Sequence, residues 1–218
     1  MSQAGDLIVI IDYGSGNLRS AEKAFARQAK GRPVLVSGEP DEVRRAAHIV
    51  LPGVGAFGDC AQGLRAIDGM VEALNEAVME EAKPFLGICV GMQLTCRHGL
   101  ELAAPESPHH GLGWFDGQVC ALNVPPTLKV PHMGWNEISV RQDHKVIAPL
   151  DGEDVYFVHG YGAVMAAAAQ GDIAATTEYG GPVIAALARD NMIGVQFHPE
   201  KSQAAGLGLI ERFLEWRP

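Results

Sequence analysis

Two clusters of residues could do chemistry, and they lie far apart in the chain. The first is Gly87-Ile88-Cys89-Val90-Gly91, closing the short apolar run that begins at Phe85. Such a run is too compact for a helix of its own and reads as a buried strand. Gly-x-Cys-x-Gly at its end, followed by helix-favouring residues, is the layout of a nucleophile elbow. The chain must reverse there within a few residues while holding one side chain strained and exposed. Gly87 and Gly91 lack Cβ atoms, so neighbouring backbone can crowd the turn. A sulfur at a helix start also meets the positive end of the dipole, which favours the reactive thiolate. The Val90 N–H, unpaired within the helix, points where an oxyanion would form. The competing reading makes Cys89 a small buried apolar residue, as free cysteines often are.

The second cluster is His198-Pro199-Glu200, leaving the end of the strand-like run Ile193–Phe197. Catalytic groups gather where the strands of an open sheet run out. Side chains two apart on extended chain point the same way, so His198 and Glu200 share a side if the Pro-fixed segment stays extended. Imidazole would take the thiol proton and later hand it to a leaving amine, while the carboxylate orients the ring. A structural histidine at a helix entry is the alternative.

Gly53-Val54-Gly55-Ala56-Phe57-Gly58 matches G-x-G-x-x-G and follows a strand. It comes after the third strand rather than the first, and no acidic residue closes a second βα unit. That disfavours a dinucleotide site and favours a backbone-rich anion loop beside the elbow, offering a second N–H to the oxyanion. His98, His109, His110, His132 and His144 show no spacing that suits a metal.

The positioning elements alternate. Leu7–Ile11, Pro33–Val36, His48–Leu51 and the run into Cys89 read as strands, apolar throughout. Between them lie a helix carrying Leu18, Ala21 and Phe25 that Asn17 can cap, a short helix over Asp41–Ala47, and helical periodicity from Cys60 to Ala82 interrupted near Gly69. Such alternation predicts an α/β fold, an open, mostly parallel, twisted sheet with helices on both faces. Beyond Gly111 the pattern shifts to strand-like pieces: Trp114–Leu122, Trp135–Val140, Val155–Val158, Ile173–Glu178, Val183–Ala188 and Ile193–Phe197. Their closeness suggests antiparallel hairpins and hence a mixed sheet. Ala204–Trp216 closes the chain as a helix with a core-facing stripe, Leu207, Ile210, Phe213 and Leu214. The whole of 1–218 reads as one domain.

Composition narrows the rest. With 47% apolar and 20% charged residues the chain is globular. A formal charge of −9 argues against nucleic acid. Four cysteines without a C-x-x-C pair support neither zinc ribbon nor redox motif, and the first apolar run is too short to span a membrane. A reduced, cytoplasmic protein is expected.

Gly-Ile-Cys-Val-Gly-Met-Gln at 87–93 together with Phe-His-Pro-Glu at 197–200 resembles the class I, triad-type glutamine amidotransferases, with a flavodoxin-like fold. The likeness extends over essentially the whole chain. Ile11–Leu18, Leu51–Gly58, Pro131–Glu137, Tyr156–His159 and Gln196–Ser202 narrow it to the family of glutaminase subunits of imidazole glycerol phosphate synthase. The resemblance implies that Cys89 attacks the side-chain amide of L-glutamine, with His198 and Glu200 completing the triad and Val54 and Val90 forming the oxyanion hole. It implies glutamine binding by Gly53, Gly55, Gln93, Gly160 and Tyr161, with no cofactor. Ammonia would pass to a cyclase subunit of (β/α)8-barrel type in a heterodimer, docked near His132, Met133, Gly134, Trp135, Asn136 and Lys201. Departures are mild: Val90 stands where leucine is commoner, and Thr95-Cys96-Arg97-His98 after the elbow is unusual, so the helix there could pack differently. Rival readings are a glutaminase serving a pyridoxal phosphate or anthranilate synthase, a non-catalytic interaction subunit, and a cysteine peptidase on a related fold.

Overall fold

A computed structural model describes residues 6–104 and 106–218. Its first half alternates as the sequence predicts: β1 (Ile8–Ile11), α1 (Leu18–Gln28), β2 (Val34–Ser37), α2 (Pro40–Arg45), β3 (His48–Gly53), α3 (Phe57–Ala66), α4 (Met70–Asn75) and β4 (Phe85–Cys89). β1, β3 and β4 are buried at every residue, which is why they read as unbroken apolar runs. The expected break near Gly69 is present: α3 stops at Ala66, and Gly69, at φ +76°, stands at the N-cap of α4. Asn17 stands at the start of α1 but makes no side-chain cap. Its carbonyl instead receives the N–H groups of Ser20 and Ala21.

After the elbow the sequence reading needs correction. The helix that follows, α5 (Val90–Gln93), is a single turn, and the chain goes directly into β5 (Cys96–Ala104). Thr95, Cys96 and Arg97 therefore belong to a turn and a strand. β6 (Ser107–His110), β7 (Phe115–Ala121), β8 (His132–Glu137), β9 (Ser139–Val140), β10 (Asp154–His159), β11 (Tyr161–Met165), β12 (Ile173–Glu178), β13 (Pro182–Arg189) and β14 (Met192–Val195) follow, then α6 (Gln203–Glu215).

The principal sheet has eight strands in the order β2-β1-β3-β4-β14-β13-β12-β9. Every pairing from β2 through to β14 is parallel, and the last three are antiparallel, so the sheet is mixed as expected. The other strands leave it. β11-β7-β5-β6 form a four-stranded sheet and β10-β8 a two-stranded ladder, where the sequence had suggested one sheet. β5, β6 and β11 have no long apolar run to announce them; in β5, for example, only Cys96 and Gly99 are buried, and the other residues are half-buried or exposed. The buried apolar residues form one continuous core, in which Phe25 of α1 meets Phe213 of α6 edge-on at 6.5 Å. Among the described residues no helix is long and apolar enough to cross a membrane.

The topology brings the two chemical clusters together. β3, β4 and β14 are neighbours and parallel, with Gly53 paired to Cys89 and Ile88 to Val195. Their carboxyl ends therefore deliver the Gly53–Gly55 loop, Cys89 and His198 to one edge of the sheet.

Candidate active site

Cys89 ends β4 at φ +54°, ψ −113°, a left-handed conformation that costs a non-glycine residue free energy and persists only where its surroundings enforce it. The enforcement comes from missing Cβ atoms. A Cβ on Gly91 would lie 1.8 Å from the Leu51 carbonyl oxygen, and one on Gly87 2.7 Å from that of Gly91. The residue is not exposed, contrary to the elbow reading: it is 4% accessible, and it lines a cavity of about 230 Å³. Val54, Gly55, Val90, Gln93, Glu101, Gly160, Tyr161, His198 and Lys201 also line that cavity.

His198 Nδ1 lies 2.9 Å from Glu200 Oε1, with both side chains buried. Pro199–Lys201 is a single 3-10 turn, so this pair meets across a turn and not along extended chain. Ser202 fixes the segment by donating to the His198 carbonyl at 2.6 Å and accepting the Tyr156 N–H at 3.0 Å. Burial alone would lower the proton affinity of His198. The Cys89 sulfur and the Glu200 carboxylate outweigh it and hold the imidazole up at about 9. Nε2 is buried and completes no hydrogen bond: the sulfur is near enough to raise the ring's basicity without meeting hydrogen-bond geometry. Such looseness is common in ligand-free sites.

The two oxyanion candidates differ. Val90 N–H belongs to the first residue of α5 and has no acceptor within the helix. Val54 lines the cavity, but its N–H donates to Ser15 Oγ at 3.2 Å, while the Ser15 hydroxyl donates to the Val54 carbonyl at 2.5 Å. In this conformation the Val54 amide is not a free donor.

Further residues assigned from sequence are in place but occupied. Gln93 donates through Nε2 both to the Tyr161 carbonyl and to Gln196 Oε1, each at 3.0 Å. The Gly160 carbonyl receives Leu122 N–H at 2.9 Å. His132 does not belong with the exposed residues around it. It is 2% accessible, stacked on Tyr179 with centroids 3.9 Å apart and bonded to His159 at 3.1 Å. The pleat explains this: β8 alternates, turning His132 inward and Met133 and Trp135 outward, 63% and 47% exposed. Asn136 is half-buried and donates to the Glu178 carbonyl at 2.8 Å; exposed Lys201 stands over the Tyr156 ring.

Sequence reasoning missed Glu101, Ser15 and Gln196. Glu101 lies on β5, which was not foreseen; its carboxylate lines the cavity and accepts the Phe57 N–H at 2.8 Å. That bond also removes the dinucleotide reading of Gly53–Gly58, because the first N–H of α3, where a phosphate would sit, already holds a carboxylate. Gln196 lay in the quoted Gln-Phe-His-Pro-Glu stretch, but nothing in its spacing sets it apart. Among the described residues no cluster of metal-ligating side chains is found.

The comparisons with known proteins agree with this geometry. The family model described as glutamine amidotransferase class-I matches residues 9–215. The chain is 50% identical to proteins from Mesorhizobium japonicum and Rhodopseudomonas palustris, each described as imidazole glycerol phosphate synthase subunit HisH. Each alignment covers 97% of this chain and 99% of the relative. Among solved structures it resembles PurLQS from Thermotoga maritima with a TM-score of 0.73 at 18% identity, covering 97% of this chain and 98% of that one. It also resembles a structure described as a glutamine amidotransferase, with a TM-score of 0.70 at 16% identity over 95% and 97%. Those two likenesses speak for the fold. With half of its residues shared over nearly its full length, the chain belongs to the class-I glutamine amidotransferase family, among the HisH subunits of imidazole glycerol phosphate synthase.

Proposed function

We propose that this protein hydrolyses L-glutamine with Cys89 as nucleophile, His198 as acid and base, and Glu200 as the group that orients and charges the imidazole. The observation that carries this reading is the meeting of a strained cysteine with a buried His198–Glu200 pair around one small cavity. An imidazole held near 9 is protonated at neutral pH, so the proton rests on His198 beside the sulfur. Attack by sulfur on the amide carbon forms the tetrahedral oxyanion. His198 gives its proton to the departing ammonia, then takes one from the water that releases glutamate from the thioester. Val90 N–H meets the oxyanion; Val54 N–H joins it only after leaving Ser15.

The cavity has room for one amino acid and little more, which favours free glutamine over a peptide. Glu101 supplies a carboxylate for the substrate's ammonium group, and Gln93 and the Gly160–Tyr161 backbone shape the wall. Ammonia passes to a (β/α)8-barrel cyclase subunit in a cytoplasmic heterodimer serving histidine biosynthesis. The support is the description of the relatives as synthase subunits together with exposed apolar surface at Val130, Met133 and Trp135 near Lys201 and the cavity mouth.

The test is labelling with a glutamine-mimicking diazo-ketone. A covalent adduct on the Cys89 peptide, prevented by excess glutamine and absent in Cys89→Ala, is expected. Glutamate release by purified Cys89→Ala at the parent's rate would overturn the proposal.

A further inference from the structure

The sulfur of Cys89 receives a hydrogen bond that the Cys–His–Glu roles do not use. Gln196, wholly buried and absent from the cavity wall, donates through Nε2 to Cys89 Sγ at 3.6 Å. Its direction is set by a chain of polar groups that ends on a group able only to accept. The Tyr161 carbonyl takes one proton of Gln93 Nε2 and faces His159 Nδ1 at 2.9 Å. A carbonyl donates nothing, so the Gln93 amide nitrogen and the His159 Nδ1 proton must both point toward it. The second proton of Gln93 Nε2 goes to Gln196 Oε1. This turns the Gln196 amide so that its nitrogen faces sulfur. On the other side, His159 Nε2 is left to accept from His132 Nδ1 at 3.1 Å, and His132 Nε2 to accept from Asn136 Nδ2 at 3.3 Å. One proton arrangement satisfies every member, with both histidines neutral.

We propose that Gln196 is a further catalytic residue of the glutaminase reaction: its amide, locked in one orientation by Gln93 and the Tyr161 carbonyl, holds the Cys89 sulfur for attack and stabilises its anion. Thiolate is a better acceptor than thiol, so a donor at this position favours the reactive form. Gln93 acts through Gln196 and is a positioning residue. The inference rests on Cys89 being the nucleophile, as proposed above.

The experiment reads the sulfur directly. Iodoacetamide alkylation of the Cys89 peptide, followed by mass spectrometry against pH, needs neither glutamine nor a partner. Gln196→Met keeps the volume and removes the donor. The expected result is roughly a tenfold slower alkylation at neutral pH, a profile displaced to higher pH, and a similar loss in kcat with KM little changed. Gln196→Asn, which keeps an amide but falls short of the sulfur, is expected to behave like the methionine variant. An unchanged alkylation profile in a folded Gln196→Met protein overturns the proposal, because a packing role would leave it unmoved. If that variant does not fold, Gln93→Met frees the Gln196 amide to turn and is expected to shift the profile in the same direction by less; no shift overturns the proposal equally. If the parent protein instead alkylates as expected but releases no glutamate from glutamine, the glutaminase assignment fails while the Gln196–sulfur contact stands.

Discussion

Ser15 and Val54 hold each other twice: the Ser15 hydroxyl donates to the Val54 carbonyl at 2.5 Å and accepts the Val54 N–H at 3.2 Å. Cys60 Sγ backs the clasp, 3.2 Å from Ser15 Oγ and 3.7 Å from the same carbonyl. The peptide that would supply a second oxyanion donor is thereby turned toward the first βα loop. Gly55 follows at φ +117°, a region that glycine adopts without steric cost.

Ser15→Ala removes both arms of this clasp. Glutamate release by the isolated protein is expected to rise several-fold, since one oxyanion donor is worth about 3 kcal/mol. Unchanged basal turnover would mean that Ser15 does not hold the loop back.

Glu200→Gln leaves the imidazole without its anion. Of the two groups that offset burial only the Cys89 sulfur then remains, so His198 falls below about 9 and the protonated acid is lost at lower pH. We expect kcat to drop at least tenfold at neutral pH and the alkaline limb of the kcat profile to move down. A profile superimposable on the parent's would rule out the orienting role.

Acid should loosen the fold through its buried neutral histidines. Burial lowers His159 to about 4, and burial with the Arg32 and Arg217 charges lowers His48 to about 3. Between these values and about 6.5 the unfolded chain binds more protons than the native one, so stability falls as pH drops through that window. At pH 5 each group contributes a loss of up to about 2 kcal/mol. His198 has the opposite sign: its folded value is raised, so its contribution is complete below about 6.5 and is lost as pH rises through about 9. Urea midpoints at pH 5 and 7.5 would test this, and equal midpoints would contradict it.

Gly91→Ala places a methyl 1.8 Å from the Leu51 carbonyl oxygen, where backbone must yield. A loss of about 4 kcal/mol or more, or failure to fold, is expected. Gly171→Ala, with nothing within 4 Å of its Cβ, should change stability by less than about 0.5 kcal/mol. Thermal denaturation of the two variants gives the comparison.

Neighbours on β8 should separate binding from folding. Trp135→Ala is expected to weaken partner association while leaving the melting temperature nearly unchanged, because half its side chain faces solvent. His132→Ala, which empties the stack on Tyr179 and Phe157, should cost about 2 kcal/mol of stability. Titration calorimetry and thermal melts on both variants would show the split, and equal effects on both measurements would refute it.

Local chemistry was legible before any coordinates. Gly87, Cys89 and Gly91 announce a strained turn because only missing Cβ atoms permit it, and continuous apolar runs announce strands buried on both faces. His198 and Glu200 were legible as a pair because they are near neighbours in the chain. The reach of α5 was not: its helix-favouring residues lose to the pull of β5 into a second sheet, a long-range pairing that leaves no periodic mark. Nor could residue types alone place Ser15 against Val54, Glu101 in the cavity, His132 inside rather than outside, or Gln196 behind the sulfur. Each depends on which strands become neighbours and which way the pleat turns, and those outcomes belong to the folded chain as a whole. Composition and spacing sufficed for the kind of chemistry; whether each donor is free, occupied or aimed at the nucleophile was decided by tertiary packing, because a hydrogen bond is satisfied or broken over tenths of an ångström that no spacing in sequence encodes.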